Sequence, residues 1–142
     1  MARIGLLEDN IRIARLCATM LHYAGHEVII YTDPQECLRA LMFPTAPARQ
    51  GFLSPEAPAL PIDVLILDLH LPVMSGLEVL RLLRSRSHTR ALPLIFCTAA
   101  TTSEINGAFA LAPNATLVEK PFKLQALVSA IARVLPTSIQ EA

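Results

Sequence analysis

The chain has 142 residues, 53% of them hydrophobic and 5% aromatic, and its 12 basic and 12 acidic side chains cancel. This length fits one domain with a proper core. The balanced charge provides no basic field for nucleic acid, and no apolar run is long enough to span a membrane.

The first residues of the chain and the pattern of its cysteines indicate the cellular compartment. Met1-Ala2-Arg3-Ile4 leads directly into an apolar strand, without the apolar run and cleavage site of a signal peptide. Each of the three cysteines lies inside an apolar pattern and none forms a CxxC pair, so we predict buried thiols in a reducing compartment. The sequence therefore predicts a cytoplasmic protein.

Short apolar strands alternate with amphipathic helices along the whole chain. Five such units in a row predict right-handed crossovers and a parallel sheet that is covered by helices on both faces. The predicted strands are residues 3–7, 27–31, 64–67, 92–97 and 116–119, and the predicted helices run over about 11–24, 34–42, 76–86, 102–111 and 123–135.

Local signals mark most of the helix ends. Asn10 is a favourable N-cap, and Gly25 follows the first helix where a left-handed residue is preferred. Asp33-Pro34 predicts a helix start with proline in the first turn. Capping boxes are predicted at the starts of three helices, with the pairs Asp33 and Glu36, Ser75 and Glu78, and Thr101 and Glu104.

Two stretches are less regular. Residues 43–61 form a proline-rich, nearly uncharged segment without helix or strand periodicity, which predicts an extended surface loop. A neutral insertion is favoured there over a partner-binding loop because surface loops tolerate extra length. The basic side of the third helix carries Arg81, Arg84, Arg86 and His88, and a solvated face is favoured over a phosphate or partner site.

Polar side chains stand at the carboxyl ends of the predicted strands. The run Val64–Leu67 is wholly apolar, as in strands covered on both faces, and it ends on Asp68. Because parallel strands end at one edge of the sheet, side chains at these ends are expected to converge. They are Glu8 and Asp9 after the first strand, Asp68, Thr98 and Lys120.

This set predicts a phosphoryl-transfer site. Clustered carboxylates repel one another unless a cation joins them, and an all-oxygen donor set suits Mg²⁺. A carboxylate beside Mg²⁺ and an ammonium is poised to attack a phosphoryl group, while Thr98 can donate a hydrogen bond to an equatorial oxygen. The product would be an aspartyl phosphate on Asp68.

The constellation resembles the receiver domain of two-component response regulators over nearly the whole chain. The resemblance rests on four motifs: Glu8-Asp9, Asp68-x-x-x-Pro72-x-x-x-Gly76, Thr98-Ala99 and Lys120-Pro121-Phe122. It implies an α/β fold of the flavodoxin-like (βα)5 type with strand order 2-1-3-4-5, and one receiver domain over residues 1–142. It also implies a cis peptide bond between Lys120 and Pro121.

The resemblance also implies a role for each residue. Asp68 would be the phosphoacceptor, and Asp9 and Asp68 would bind Mg²⁺ together with the main-chain carbonyl of His70. Glu8 would act through a metal-bound water. Lys120 would pair with Asp68 and then with the phosphoryl group, and Thr98 would be the switch residue.

The chain departs from the family pattern near the site. Leu117 stands three residues before the lysine, where receivers usually carry an aromatic side chain that reports phosphorylation. The two positions that tune dephosphorylation in the family hold His70 and Ala100. The segment 43–61 is longer than the family's usual connection between the second helix and the third strand.

The expected partners are a histidine kinase or histidine phosphotransfer protein and an unidentified downstream protein. The donor is expected near the first helix, and a homodimer through the fourth helix, fifth strand and fifth helix is possible. We expect no nucleic-acid binding by this chain alone, no membrane contact, and no enzymatic turnover beyond self-phosphorylation and autodephosphorylation. The alternatives are a receiver-like interaction module that works without phosphorylation and an Asp-nucleophile phosphatase, which is disfavoured by His70 at its second-acid position.

Overall fold

A computed structural model describes residues 2–43, 60–99 and 101–135 of the chain. It contains five strands: β1 (Arg3–Leu7), β2 (Glu27–Tyr31), β3 (Val64–Leu67), β4 (Leu94–Thr98) and β5 (Thr116–Glu119). Its six helices are α1 (Ile11–Tyr23), α2 (Pro34–Met42), α3 (Gly76–Arg84), α4 (Ser87–Arg90), α5 (Thr102–Leu111) and α6 (Leu124–Val134). The predicted loop at 43–61 lies almost wholly outside the described residues.

The strands form one parallel sheet in the order β2-β1-β3-β4-β5. The α/β class and the strand order 2-1-3-4-5 are thereby confirmed. Register places Leu7 beside both Tyr31 and Leu67, so the last residues of three neighbouring strands lie side by side. The polar residues that follow these strands therefore emerge at one edge of the sheet.

Each face of the sheet has its own core because successive side chains along a strand point to opposite faces. Leu65 and Leu67 of β3 pack with α2, α3 and α5, whereas Val64 and Ile66 pack with α1 and α6. All four side chains are fully buried. Burial on both faces is why this strand is continuously apolar and shows no alternation.

The end of α1 matches its sequence signal. Gly25 has φ +95°, its N–H donates to His22 O at 2.9 Å, and the N–H of His26 donates to Leu21 O at 3.1 Å. These two bonds form the Schellman arrangement that satisfies the last carbonyls of the helix. A residue with a Cβ would be strained at this positive φ.

The capping boxes were predicted with mixed success. Both halves of the box are formed at the start of α5 by Thr101 and Glu104. At α3 the Ser75 hydroxyl accepts from the Glu78 N–H, and at α2 the Asp33 carboxylate accepts from the Gln35 N–H. At these two helix starts the described bonds run from a main-chain N–H to the side chain of the cap residue.

Two predicted boundaries were wrong by two residues, whereas the others agree to within one residue. The fourth strand begins at Leu94 rather than Leu92, because Pro93 has no N–H to offer a ladder and only its carbonyl accepts, from the N–H of Leu65. The third helix ends at Arg84, and α4 follows as a separate turn. The hydroxyl of Ser85 bonds to the carbonyl of Leu82 and competes with continuation of the helix.

Among the described residues, no helix is both long enough and apolar enough to cross a bilayer.

Candidate functional site

Main-chain hydrogen bonds to the neighbouring strand position three of the predicted site residues. The N–H groups of Glu8, Asp68 and Lys120 donate to the carbonyls of Tyr31, Leu7 and Thr98 at 3.1, 3.2 and 3.3 Å. Each residue directly follows its own strand, so the ladder extends one residue beyond β1, β3 and β5. The sheet therefore holds the backbone of these residues rigidly while their side chains meet at its edge.

The Lys120 ammonium lies between two buried carboxylates. Its Nζ donates to Asp68 Oδ2 at 2.9 Å and also to Glu8 Oε1. Asp68 and Glu8 are only 5% and 3% exposed, so these pairs are screened little by water. Leaving one of these charges buried without its partner would be strongly destabilising.

At this ion pair, burial and hydrogen bonding shift each pKa in opposite directions. Burial raises the pKa of the Glu8 carboxyl above its usual value, although the hydrogen bond from Lys120 lowers it in part. Burial alone would lower the pKa of Lys120, but the hydrogen bonds to Glu8 and Asp68 outweigh it and the net pKa is raised. Lys120 therefore stays charged at neutral pH.

The second oxygen of Asp68 is also held. Asp68 Oδ1 accepts the His70 N–H at 2.9 Å, so both carboxylate oxygens have a donor. Behind the carboxylate, Gly76 packs against the main chain of Asp68 and Leu69. A Cβ at Gly76 would lie 2.5 Å from Asp68 O, which explains why glycine suits this position.

Glu8, Asp9 and Asp68 can each place one carboxylate oxygen within 4.8 Å of the other two. Asp9 is exposed, whereas the other two acids are buried. Three carboxylates face one ammonium, which leaves an excess of negative charge for a cation to neutralise. An all-oxygen donor set is the one that Mg²⁺ prefers, so these residues fit the predicted metal.

A cavity of ≈320 Å³ opens above these acids. Asp68 and Glu8 lie at its buried floor, and the exposed His70 lies at its rim. The full lining comprises Glu8, Asp9, Asn10, Ile13, Asp68, His70, Ala99, Thr101, Glu104 and Lys120. The cavity is open to solvent, so a small molecule has room to reach Asp68.

Thr98 is buried and does not line this cavity. It is the last residue of β4 and is 2% exposed. The next residue, Ala99, does line it. Ala100, at the predicted tuning position, lies outside the described residues.

Three residues that the sequence marks only as helix caps also line the cavity: Asn10, Thr101 and Glu104. Asn10 caps α1 through its side chain, and its N–H also donates to Glu8 Oε2 at 3.1 Å, which orients that carboxylate. Glu104 completes the capping box of α5 and also approaches His70. Sequence spacing indicates a cap but not which side chains a helix start will face across a cleft.

Leu117 is half-buried in β5 and packs against the core on the α3 and α5 side of the sheet. The position that usually carries an aromatic side chain in receivers is therefore held by an aliphatic one. The peptide bond between Lys120 and Pro121 is cis, as the resemblance implied.

The interpretation of the basic side of α3 as a solvated face was partly wrong. The Arg84 guanidinium donates to the main-chain carbonyls of Thr89, Arg90 and Leu92. His88 Nε2 lies 3.2 and 3.1 Å from the carbonyls of Leu41 and Met42. Both side chains therefore satisfy helix-end carbonyls, whereas Arg81 and Arg86 are exposed as predicted.

Three comparisons with known proteins agree with this geometry. Residues 4–132 match the family described as response regulator receiver domain. The chain is 30% identical over 128 residues to a probable transcriptional regulatory protein of Picosynechococcus sp., covering 90% of this chain and 47% of that protein. It is 30% identical over 138 residues to the transcriptional regulatory protein TrcR of Mycobacterium tuberculosis, covering 96% of this chain and 46% of TrcR.

Among solved structures, the Vibrio cholerae chemotaxis protein CheY4 is 29% identical, with a TM-score of 0.73, and the match covers 95% of this chain and 99% of CheY4. The chain spans about half the length of the curated relatives that it matches.

Proposed function

Because this chain belongs to the response regulator receiver domain family, we propose that Asp68 accepts a phosphoryl group from a phosphohistidine donor in a two-component phosphorelay. The observation that carries this proposal is the arrangement of the Asp68 carboxylate. It is buried at the floor of an open cavity, is paired with Lys120, and lies within 4.8 Å of two further carboxylates. Phosphorylation would then alter a protein-binding face of this cytoplasmic signalling domain.

The transfer step requires a nucleophile and a way to neutralise charge. An oxygen of Asp68 forms a bond to phosphorus while the bond from phosphorus to the donor's imidazole nitrogen breaks, and that nitrogen keeps the electron pair. Lys120 is already within hydrogen-bonding distance of Asp68 and remains beside the new phosphoryl oxygens. Thr98 at the end of β4 is proposed as the residue that moves toward one of these oxygens.

Mg²⁺ is the proposed cofactor. Asp9 and Asp68, with the main-chain carbonyl of His70, would hold the ion, and Glu8 would contact it through water. The ion supplies charge neutralisation at the phosphoryl oxygens. The acidic excess over Lys120 supports this assignment, because without a cation the carboxylates repel one another.

The test is covalent modification of the intact chain. Incubation with Mg²⁺ and acetyl phosphate is expected to add one phosphoryl mass by mass spectrometry, and Asp68→Asn is expected to abolish it. Asp63→Asn is the matched control, because Asp63 pairs with Arg3 at the opposite end of the sheet.

Two other outcomes of this experiment would favour the alternative functions. Lack of modification by several small phosphodonors would favour an interaction module that works without phosphorylation. Continuous turnover of a phosphate ester would instead indicate a phosphatase.

The donor is proposed to dock on α1 beside the site. A mainly apolar cavity of ≈280 Å³ is lined by Ile13, Leu16, Lys120, Pro121 and Phe122. Leu16 is 61% exposed there and forms an apolar surface together with the cavity beside it.

We expect Leu16→Asp to slow phosphotransfer from a phosphorylated histidine phosphotransfer protein and to leave modification by acetyl phosphate unchanged. Leu82→Asp on α3 is the control, because Leu82 is also exposed but lies away from α1. Equal slowing by the two variants would contradict docking on α1.

The proposed output face comprises α5, β5 and α6, which correspond to the predicted fourth helix, fifth strand and fifth helix because α4 is an additional turn. Glu104 is the single charged residue of α5, so an apolar homodimer contact is proposed there over a lattice of ion pairs. Sedimentation velocity with and without acetyl phosphate tests this, and an unchanged monomer would argue for a different downstream protein.

A further inference from the structure

The strand β5 (Thr116–Glu119) is one edge of the sheet, with β4 as its neighbour. Directly after it, the N–H of Lys120 donates across the ladder to Thr98 O at 3.3 Å. Because successive residues of a strand turn their main-chain groups to alternate sides, the N–H and carbonyl groups of Leu117 and Glu119 face away from β4. No described residue outside the sheet forms a main-chain hydrogen bond with them. The outer side of β5 therefore offers donors and acceptors to a further strand.

A cavity of ≈420 Å³ lies along this edge, between β5 and α6. Its α6 side is formed by the small side chains of Ala126, Ser129 and Ala130. Val118 packs in the core on the same face of the sheet. Since neighbouring strands lie about 4.8 Å apart, a strand added beside β5 would place alternate side chains over these small residues.

The two ends of α6 carry positive charge along this cavity. Lys123 directly precedes α6, Arg133 lies in its last turn, and both are exposed and line the cavity. At 1.5 Å per residue they are separated by about 15 Å along the helix, close to the span of four or five residues in a strand. The Glu119 side chain alternates with Val118 and so faces the other side of the sheet. The groove therefore complements a strand with acidic side chains four residues apart, which share one face.

The hand of the crossovers favours a strand from another protein over one from this chain. The steps from β2 to β3, β4 and β5 all run in one direction across the sheet, through helices α2, α3 and α5 on one face. Helix α6 packs on the opposite face, with α1. A strand that followed α6 and lay outside β5 would therefore need a left-handed crossover, which is rare.

We propose that β5 and α6 bind an extended segment of another protein, which adds to the sheet as a sixth strand. Its main chain bonds to the N–H and carbonyl groups of Leu117 and Glu119. Its acidic side chains, four residues apart, face Lys123 and Arg133, and an apolar side chain between them lies over Ala130. This inference goes beyond the proposed function, because it names a mode of recognition that does not require phosphorylation.

The test uses a defined peptide and the full chain. The probe is the heptapeptide acetyl-Thr-Glu-Thr-Val-Thr-Glu-Thr-amide, and its control has lysine in both glutamate positions. In an NMR titration of the isotope-labelled chain, the amide signals of Leu117 and Glu119 are expected to shift. Their hydrogen exchange is expected to slow at least about ten-fold at saturation, because both N–H groups become bonded. The lysine peptide should bind at least about five-fold more weakly.

Glu119→Pro is the critical variant. Proline removes an N–H that faces away from β4, so the ladder between β4 and β5 keeps its bonds, as edge strands allow. Glu119→Ala is the matched control, because it removes the same carboxylate and keeps the N–H. We expect Glu119→Pro to weaken peptide binding about three- to ten-fold, as loss of one hydrogen bond implies, and Glu119→Ala to bind like the parent.

A second pair of variants makes the test independent of proline. Ser129→Leu places a large side chain in the cavity and is expected to prevent peptide binding. Gln125→Leu is its control, because Gln125 is also exposed on α6 but does not line the cavity. The amide spectrum of each variant reports whether it is folded.

Several outcomes would overturn this inference. They are absence of the amide shifts with millimolar glutamate peptide, equal binding of the lysine peptide, and binding that Glu119→Pro and Ser129→Leu leave unchanged. Self-association that protects the same amides without peptide would identify a second copy of this chain as the occupant and would overturn it too. Phosphorylation of Asp68 is measured separately by mass, so failure of the proposed function leaves this inference standing.

Discussion

At the scale of single residues, the site places three carboxylates near one ammonium. Lys120 is bonded to Glu8 and Asp68, both nearly buried, while Asp9 is exposed at the edge of the cluster. The buried pairs hold the nucleophile in place, so they contribute to stability as well as to chemistry. The charge of Asp9 adds repulsion that only a bound cation would offset.

Asp9→Asn should therefore stabilise the metal-free protein and abolish its response to magnesium. Removing one of three like charges separated by up to 4.8 Å should raise the free energy of unfolding by about 1 kcal/mol in EDTA. Urea denaturation with EDTA and with excess Mg²⁺ measures both effects. Asp33→Asn is the control, because asparagine caps a helix as well as aspartate does. An Mg²⁺ shift as large as that of the parent would contradict a role for Asp9 in metal binding.

At the scale of elements, the start of α3 packs so closely against the backbone after β3 that no side chain fits between them. The first residue of α3, Gly76, packs against the main chain that carries Asp68, and its N–H donates to Leu69 O at 3.0 Å. In the core that α3 and α5 share, Phe109 of α5 meets Phe96 of β4 edge to face at 5.3 Å. Helix placement and the geometry of the nucleophile are thus coupled through packing.

Gly76→Ala should be destabilising and should impair phosphorylation. The added Cβ would lie 2.5 Å from both Asp68 O and Leu69 Cα, and backbone atoms cannot move aside cheaply. We expect a loss of about 1–3 kcal/mol in the free energy of unfolding, measured by urea denaturation, together with slower modification by acetyl phosphate.

Gly107→Ala is the matched comparison. Its Cβ would meet Leu77 Cδ1 at 3.6 Å, an ordinary contact, within the interior of α5. Alanine is the better helix former, so this change should stabilise the protein by about 0.5–1 kcal/mol. Equal effects at the two glycines would refute the packing argument.

At the scale of the whole molecule, both faces of the sheet bury groups that can lose a proton. Burial raises the pKa of Tyr31 from 10.0 to about 12, and that of each cysteine from 9.0 to about 12. All three cysteines are free and buried, as the sequence predicted. The folded state therefore keeps these protons at pH values where the unfolded chain releases them.

The linkage predicts alkaline destabilisation. Because the pKa values of these groups are raised in the folded state, their contribution to the free energy of unfolding is fully present below pH 9. It is lost as the pH rises from the pKa values of the unfolded chain toward 12. Each such group should lower the free energy of unfolding by about 1.4 kcal/mol per pH unit within that window. Urea midpoints measured between about pH 8 and 11 test this.

Tyr31→Phe removes one of these groups and should flatten the decline above about pH 10. A midpoint that stays constant across the range would show that the buried thiols and the phenol do not control alkaline stability.

The sequence was informative where one local pattern has one structural meaning. Apolar runs predicted five strands, caps predicted helix starts at Asn10 and Thr101, and the position of Gly25 predicted a left-handed residue. It was less informative where side chains bond to main chain, as at Ser85 and Arg84, because such bonds depend on the path of the next turn. The roles proposed for the site residues stay predictions until phosphorylation is measured.

By itself, the sequence determined the alternation of strands and helices, and hence that acids and a lysine from distant segments would share one sheet edge. Hydrophobic periodicity can be recognised from neighbouring residues alone, and the carboxyl ends of parallel strands lie at the same edge of a sheet. Tertiary structure alone decided that Lys120 bonds to Glu8 as well as to Asp68, that Thr98 is buried and does not line the cavity, and that Glu104 lies beside His70. These relations depend on how a helix start and a loop face each other across a cleft, which packing decides and spacing along the chain does not encode.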